Sequence, residues 1–188
     1  MANKVKFGLR NVWIAEITAT SPSYSYSTPF SIPGAVALTA TANGDSDPFY
    51  ADDVQYFVNY ANQGYSGTLE VALIPDAFKT AILGELTDNN DALTETASAV
   101  TKAFALGFEV QGDDKPRRTW FYNCTVARPN TDASTKEASI TPQTDSLEIT
   151  MSPRATDQFV KVVMTQTSSN TAAFSSFFSS VYERVVTP

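Results

Sequence analysis

No histidine occurs among the 188 residues. That absence removes the Ser-His-Asp triad, the Cys-His pair and the HExxH zinc site together. The single cysteine, Cys124, allows no intrachain disulfide and, without histidine, no conventional zinc site. Such usage suits a reducing compartment at synthesis. The eight glycines are scattered and form neither GxxxxGK(S/T) nor GxGxxG. No apolar run approaches the ~20 residues that a membrane-spanning helix needs. The opening "MANKVKFGLRNVW" has basic residues but lacks the apolar stretch of a secretory signal. Synthesis and retention in the cytoplasm are expected, or exit by a route other than ordinary secretion. Positive charge is also scarce: thirteen Lys and Arg against twenty Asp and Glu leave a net charge of −7. Gripping nucleic acid phosphates needs clustered cations, so this chain is poorly suited to it.

What is present is a packed, strand-rich chain. Hydrophobic residues make up 43% and aromatic residues 12%, enough for a buried core in one domain spanning 1–188. Most of the sequence reads with period two. "TLEVALI" puts Leu69, Val71 and Leu73 on one face, with Thr68 and Glu70 on the other. "KAFALGFEVQ" sets Phe104, Leu106, Phe108 and Val110 opposite Ala103, Ala105, Gly107 and Glu109. With the turn "GDDKP" and the strand "RRTWFYNCTVA", residues 102–127 are predicted to form a hairpin. "NVWIAEIT", "AVALTATA", "VQYFVNY", "DSLEITM" and "QFVKVVMTQ" are further strands. Two segments change period. "IPDAFKTAILGEL" starts at Pro75 and Asp76 with Phe78, Ile82 and Leu86 at helical spacing. Residues 170–184 carry Phe174, Phe177, Phe178, Val181 and Tyr182 on one helical face, with Asn170 as cap. The expected fold is a mostly-β sandwich or barrel with one or two flanking helices and long loops at 19–35 and 43–53.

The candidate sites are mostly not catalytic. "GDSDPFYADDVQYF" holds Asp45, Asp47, Asp52 and Asp53, yet it lacks the third ligand and the glycine of an EF-hand. Adjacent strand residues point to opposite faces, which disfavours a glycosidase carboxylate pair and leaves a hydrolase using Asp52 or Asp53 with little support. A solvated acidic turn is the favoured reading. Trp120 and Tyr122 should face away from Phe121, one set in the core and the other exposed or at an interface. Cys124 reads as a small buried hydrophobe and the "NCT" at Asn123 as a chance sequon. Arg117 and Arg118, beside Lys115, form either a solvated turn or an ion pair with an acidic loop of a neighbouring copy. In the 19–35 loop, rich in Ser, Thr and Pro, Tyr24, Tyr26 and Phe30 offer apolar area to a partner. A carbohydrate-binding module would instead stack sugar on the tyrosines at 24 and 26, or on Trp13 and Trp120.

Taken together and in order, "KVKFGLRNVWIA", "SIPGAVALTATANGDSDPFYADDVQYF", "NQGYSGTLEVALIPDAFKTAILGE", "WFYNCTVARP" and "PQTDSLEITMSPR" resemble the major tail protein of phages with long non-contractile tails. The variety found in phages of low-GC Gram-positive bacteria is the most similar. The resemblance implies a structural virion protein, made and assembled in the host cytoplasm. Its copies would form hexameric rings stacked into a tube around a tape-measure protein, bounded by terminator and distal tail proteins. DNA would pass through without specific binding. No catalytic residue, metal, cofactor or membrane contact is implied. On this reading Asp47, Phe49, Tyr50 and Asp52 belong to an assembly or lumen element, and Glu70 and Glu148 are candidate acids of the lumen wall.

Overall fold

The computed structural model describes residues 3–135 and 142–185, with backbone alone at 46–49 and 59–60. The strands follow in chain order: β1 (Lys6–Ala19), β2 (Ser25–Tyr26), β3 (Phe30–Ile32), β4 (Ala35–Ala42), β5 (Ser46–Ala51), β6 (Val54–Tyr60) and β7 (Tyr65–Val71). After them come β8 (Leu86–Thr87), β9 (Leu93–Thr94), β10 (Phe104–Gly112), β11 (Arg117–Val126), β12 (Asp145–Met151) and β13 (Lys161–Thr165). Helix α1 (Asp76–Phe78) runs straight into a π-helical turn, Lys79–Leu83, and α2 is Thr171–Ser175. No helix among the described residues is long and apolar enough to cross a membrane.

The large sheet is antiparallel, in the order β2-β1-β10-β11-β12-β7-β4, with β3 also on β1 and β13 also on β11. Its inner face gathers Ile14, Leu69, Phe104, Leu106, Phe121 and Leu147 into the main core, closed at one end by Phe78 and Ile82. The sheet rolls far enough to bring β4 back against β1. This is a mostly-β sandwich curling toward a barrel. Gly84, at φ 76°, ends the π-helical turn with its N–H on the Lys79 carbonyl, where a side chain would be strained.

The alternation in β10 and β11 is obeyed, but neither face is left to water. Phe104 and Leu106 enter the main core, while Ala105, Trp120 and Tyr122 form a second cluster under Phe177, Phe178 and Val181. Within it Gly107 lies beside Trp13 on one strand and Trp120 on the other. A Cβ at Gly107 would stand 2.7 Å from the Trp120 ring. That ring is fully buried, and its Nε1 donates to the Phe177 carbonyl at 2.9 Å, so it has little room to shift. Gly107→Ala is expected to cost about 2 kcal/mol by overpacking. The check is a lower urea midpoint at unchanged slope.

Five expectations need correction. The 19–35 segment is not a free loop, because β2 and β3 both pair with β1. The 43–53 stretch is no loop either. β5 and β6 form a separate hairpin whose turn residues, Asp52 and Asp53, sit at φ 52° and 60°. Asp tolerates that left-handed region, which the tight turn requires, so Asp52 and Asp53 form a turn as expected, but within a hairpin and not a long loop. The C-terminal helix expected over 170–184 ends at Ser175. Serines at 175, 176, 179 and 180 are weak helix formers, and the chain leaves the helix to spread Phe177, Phe178 and Val181 over the second cluster. Asn170 caps no helical N–H: its side chain accepts from Thr167 N–H and donates to the Thr165 carbonyl, tying the preceding turn. Leu73, placed with Leu69 and Val71, lies beyond the end of β7 and is 69% exposed.

Candidate functional site

Three surface features stand out, beginning with the hairpin arm. β5 and β6 pair only with each other. Tyr50, Tyr56 and Phe57 are 63%, 75% and 60% exposed. A lone two-stranded hairpin is marginal in water, and this one presents large rings to solvent with no sheet behind them. Tyr50 and Asp52 are both exposed near the tip; the side chains of Asp47 and Phe49 lie outside the described residues.

The second feature is the outer face of β4, β7 and β12. Register places Thr41, Ser66, Thr150 and Thr125 in one row across the strands. Thr39, Thr68 and Glu148 make the next row, and Ala37, Glu70 and Ser146 the third. Beneath them Leu69, Leu147 and Ile149 face the core. These three rows carry mostly small polar side chains with two acids, and Arg128 borders them beside Ser146 and Glu148. Glu70 and Glu148, expected on one surface, do share it, and Glu70 accepts from Thr144 Oγ1 at 2.6 Å.

The third feature is the seam under the C-terminal segment, where several expected partner residues are used within the chain. Tyr26 donates its hydroxyl to the Tyr122 carbonyl at 3.1 Å, and burial pushes its pKa up to about 12. Tyr24 lies 6.4 Å from Tyr26, ring to ring, and its hydroxyl accepts from Ala155 N–H. Phe30 packs on the main core. Arg118 does not reach for a neighbour. Its Nε donates to Glu109 at 2.7 Å, it also reaches the Phe174 carbonyl, and its guanidinium lies 4.2 Å from the Phe174 ring centroid. Arg117 alone of the pair stays exposed. Trp120 is closed off completely, and Trp13 stacks on Phe178 at 5.9 Å.

Two residues that pattern reading missed hold this seam. Glu109, 1% exposed, takes Arg10 at 2.5 Å and Arg118 at 2.7 Å. A signal existed: Ala103, Ala105 and Gly107 on its face are too small for a solvent face and leave room for a covering layer. Arg154, 3% exposed, bonds Asp157 and Glu183 at 2.5 Å and lies 4.2 Å from the Tyr122 ring centroid. Burial works against its charge, yet the carboxylate hydrogen bonds hold its pKa above the usual value. "SPRATDQF" carries no spacing that would have marked it.

No array of chemistry accompanies these surfaces. Among the described residues no group of three or more Cys, Asp or Glu side chains could hold a metal ion. Burial pushes the Cys124 thiol far above the nucleophilic range. The chain matches no protein-family model, and no curated protein matches it significantly.

Proposed function

We propose that the chain is a structural subunit of a phage tail tube, closing into hexameric rings that stack into a conduit for DNA. The observation that carries this reading is the hairpin arm, an element with aromatic rings exposed and, among the described residues, no strand partner outside itself. Strands β4 and β13, each hydrogen-bonded along one edge only, support it further. An unpaired edge invites uncontrolled pairing unless another chain covers it, and a closed ring of subunits does so. Tape-measure, terminator and distal tail proteins are the further partners of such a tube, and the virion is its location.

The test is negative-stain electron microscopy of purified protein at high concentration. Rings or tubes with six-fold averages are expected. A chain that stays monomeric throughout and binds a defined glycan ends this reading.

The polar wall of β4, β7 and β12 suits a lumen. Duplex DNA meeting Lys and Arg there would be held by phosphate contacts, whereas like charge keeps it moving. Glu70→Lys with Glu148→Lys should leave tubes intact but slow DNA release, most at low salt where screening is weakest. Unchanged release kinetics at low salt would exclude this face from the lumen.

A further inference from the structure

We propose that the tip of the β5–β6 arm seats in a cationic, apolar cleft of a neighbouring copy. This rests on the self-assembly reading above and names the two surfaces that meet. The cleft, about 420 Å³, lies where the sheet forks. β13 pairs with β11 along Arg117–Phe121, and β12 pairs with it only along Cys124–Val126, so the inner face between the diverging strands is left open.

Leu38, Tyr65, Phe108 and Phe121 make its floor, and Lys6 and Lys161 stand over it. Lys161 Nζ is 4.3 Å from the Tyr65 ring centroid and donates to its hydroxyl at 2.9 Å. Lys4 and Arg117 join at the adjacent rim. No Asp or Glu lines either part among the described residues, although the whole chain carries −7. Asp113, in the turn between β10 and β11, accepts the Lys4 N–H on its carboxylate. Lys6 and Arg117 make no ion pair among the described residues.

The arm tip has the complementary chemistry. Asp52 and Asp53 are exposed and make no ion pair among the described residues, and Tyr50 and Val54 flank them at 63% and 59% exposure. Carboxylates would meet Lys6 and Arg117 while the Tyr50 ring and the Val54 side chain enter the apolar floor, which pairs charge and apolar area at once. The seven residues of β6 span about 23 Å, enough to reach a second subunit. The exposure of its rings shows that the arm is not seated in its own cleft.

Val54→Cys and Val163→Cys, made in separate chains, are mixed and oxidised where the unsubstituted chain forms multimers. A disulfide-linked dimer in the mixture, absent from either chain alone, is expected. Multimers without that bond overturn the pairing and leave self-assembly standing, with some other occupant in the cleft. A bond closing within one chain carrying both cysteines, in place of the dimer, overturns it as well. If the unsubstituted chain forms no multimers, the self-assembly reading falls and the pairing with it. As a second measurement, Asp52→Asn with Asp53→Asn keeps the turn and should raise the concentration needed for assembly about tenfold. Lys6→Gln with Arg117→Gln should do the same, and all four together no more than either pair. Additive losses would show that the two surfaces do not meet.

Discussion

Glu109→Ala is expected to lower the unfolding free energy by about 3 kcal/mol, as breaking a buried ion pair does. The carboxylate is 1% exposed and receives Arg10 and Arg118 at 2.5 and 2.7 Å. Its removal strips Arg118 of the one anion it pairs with among the described residues, while the guanidinium stays against the Phe174 and Phe178 rings. Arg10, half exposed, can turn to water, which keeps the cost at the low end of the range for such breaks. Glu109→Gln retains an acceptor but no charge, and about half the loss is expected because charge-assisted bonds are roughly twice as strong as neutral ones. Urea unfolding followed by tryptophan fluorescence measures both. A loss below about 1 kcal/mol for Glu109→Ala would show that Arg118 finds another partner at little cost.

That pair also marks where sequence reading reaches its limit. Alternation placed Phe104, Leu106, Trp120, Phe121 and Tyr122 on their correct faces, because pleat geometry alone decides which side chains share a side. It said nothing of what covers the outer side. A spaced set of aromatics at 174, 177, 178 and 182, with Val181 among them, reads equally well as a long helix or as a short turn whose side chains drop onto a sheet, and tertiary packing chose the second. The acidic stretch was legible in part. Its Asp pair reads as a turn, which it is, but the hairpin that the turn closes was read as a long loop. Glu70 and Glu148 were legible together because strand alternation gives the face of each, although only register makes them neighbours. Tyr26 and Arg118 were read as surface groups for a partner. Contacts far apart in sequence, Tyr26 with the Tyr122 carbonyl and Arg118 with Phe174, took both into the seam.

Arg154→Ala is expected to release the C-terminal segment from the sheet and to cost about 2–3 kcal/mol. The guanidinium joins three otherwise separate pieces: Asp157 in its own loop, Glu183 in the C-terminal segment, and the Tyr122 ring on β11. Glu183 and Asp157 are partly exposed and can rehydrate, so the loss stays below that of a fully buried pair. The segment held in this way carries Phe177, whose carbonyl accepts the Trp120 indole N–H. Release should therefore wet Trp120, red-shift its emission and abolish amide protection around Phe177 and Phe178. Acid should weaken the same network. Burial alone would raise the Asp157 pKa, but hydrogen bonds from Arg154 and the Phe159 N–H hold it below the usual carboxylate value. A lowered folded-state value means that Asp157 contributes stability above about pH 4, and the contribution is lost as pH falls through the folded value. Arg154 stays charged across that window, so protonation of Asp157 removes its bond to the guanidinium. The unsubstituted chain should lose unfolding free energy as pH falls below about 4, whereas Arg154→Ala, which has no such bond to lose, should lose less over the same range. Full protection of Phe177 in Arg154→Ala at pH 7 would mean that the aromatic contacts hold the segment without the arginine.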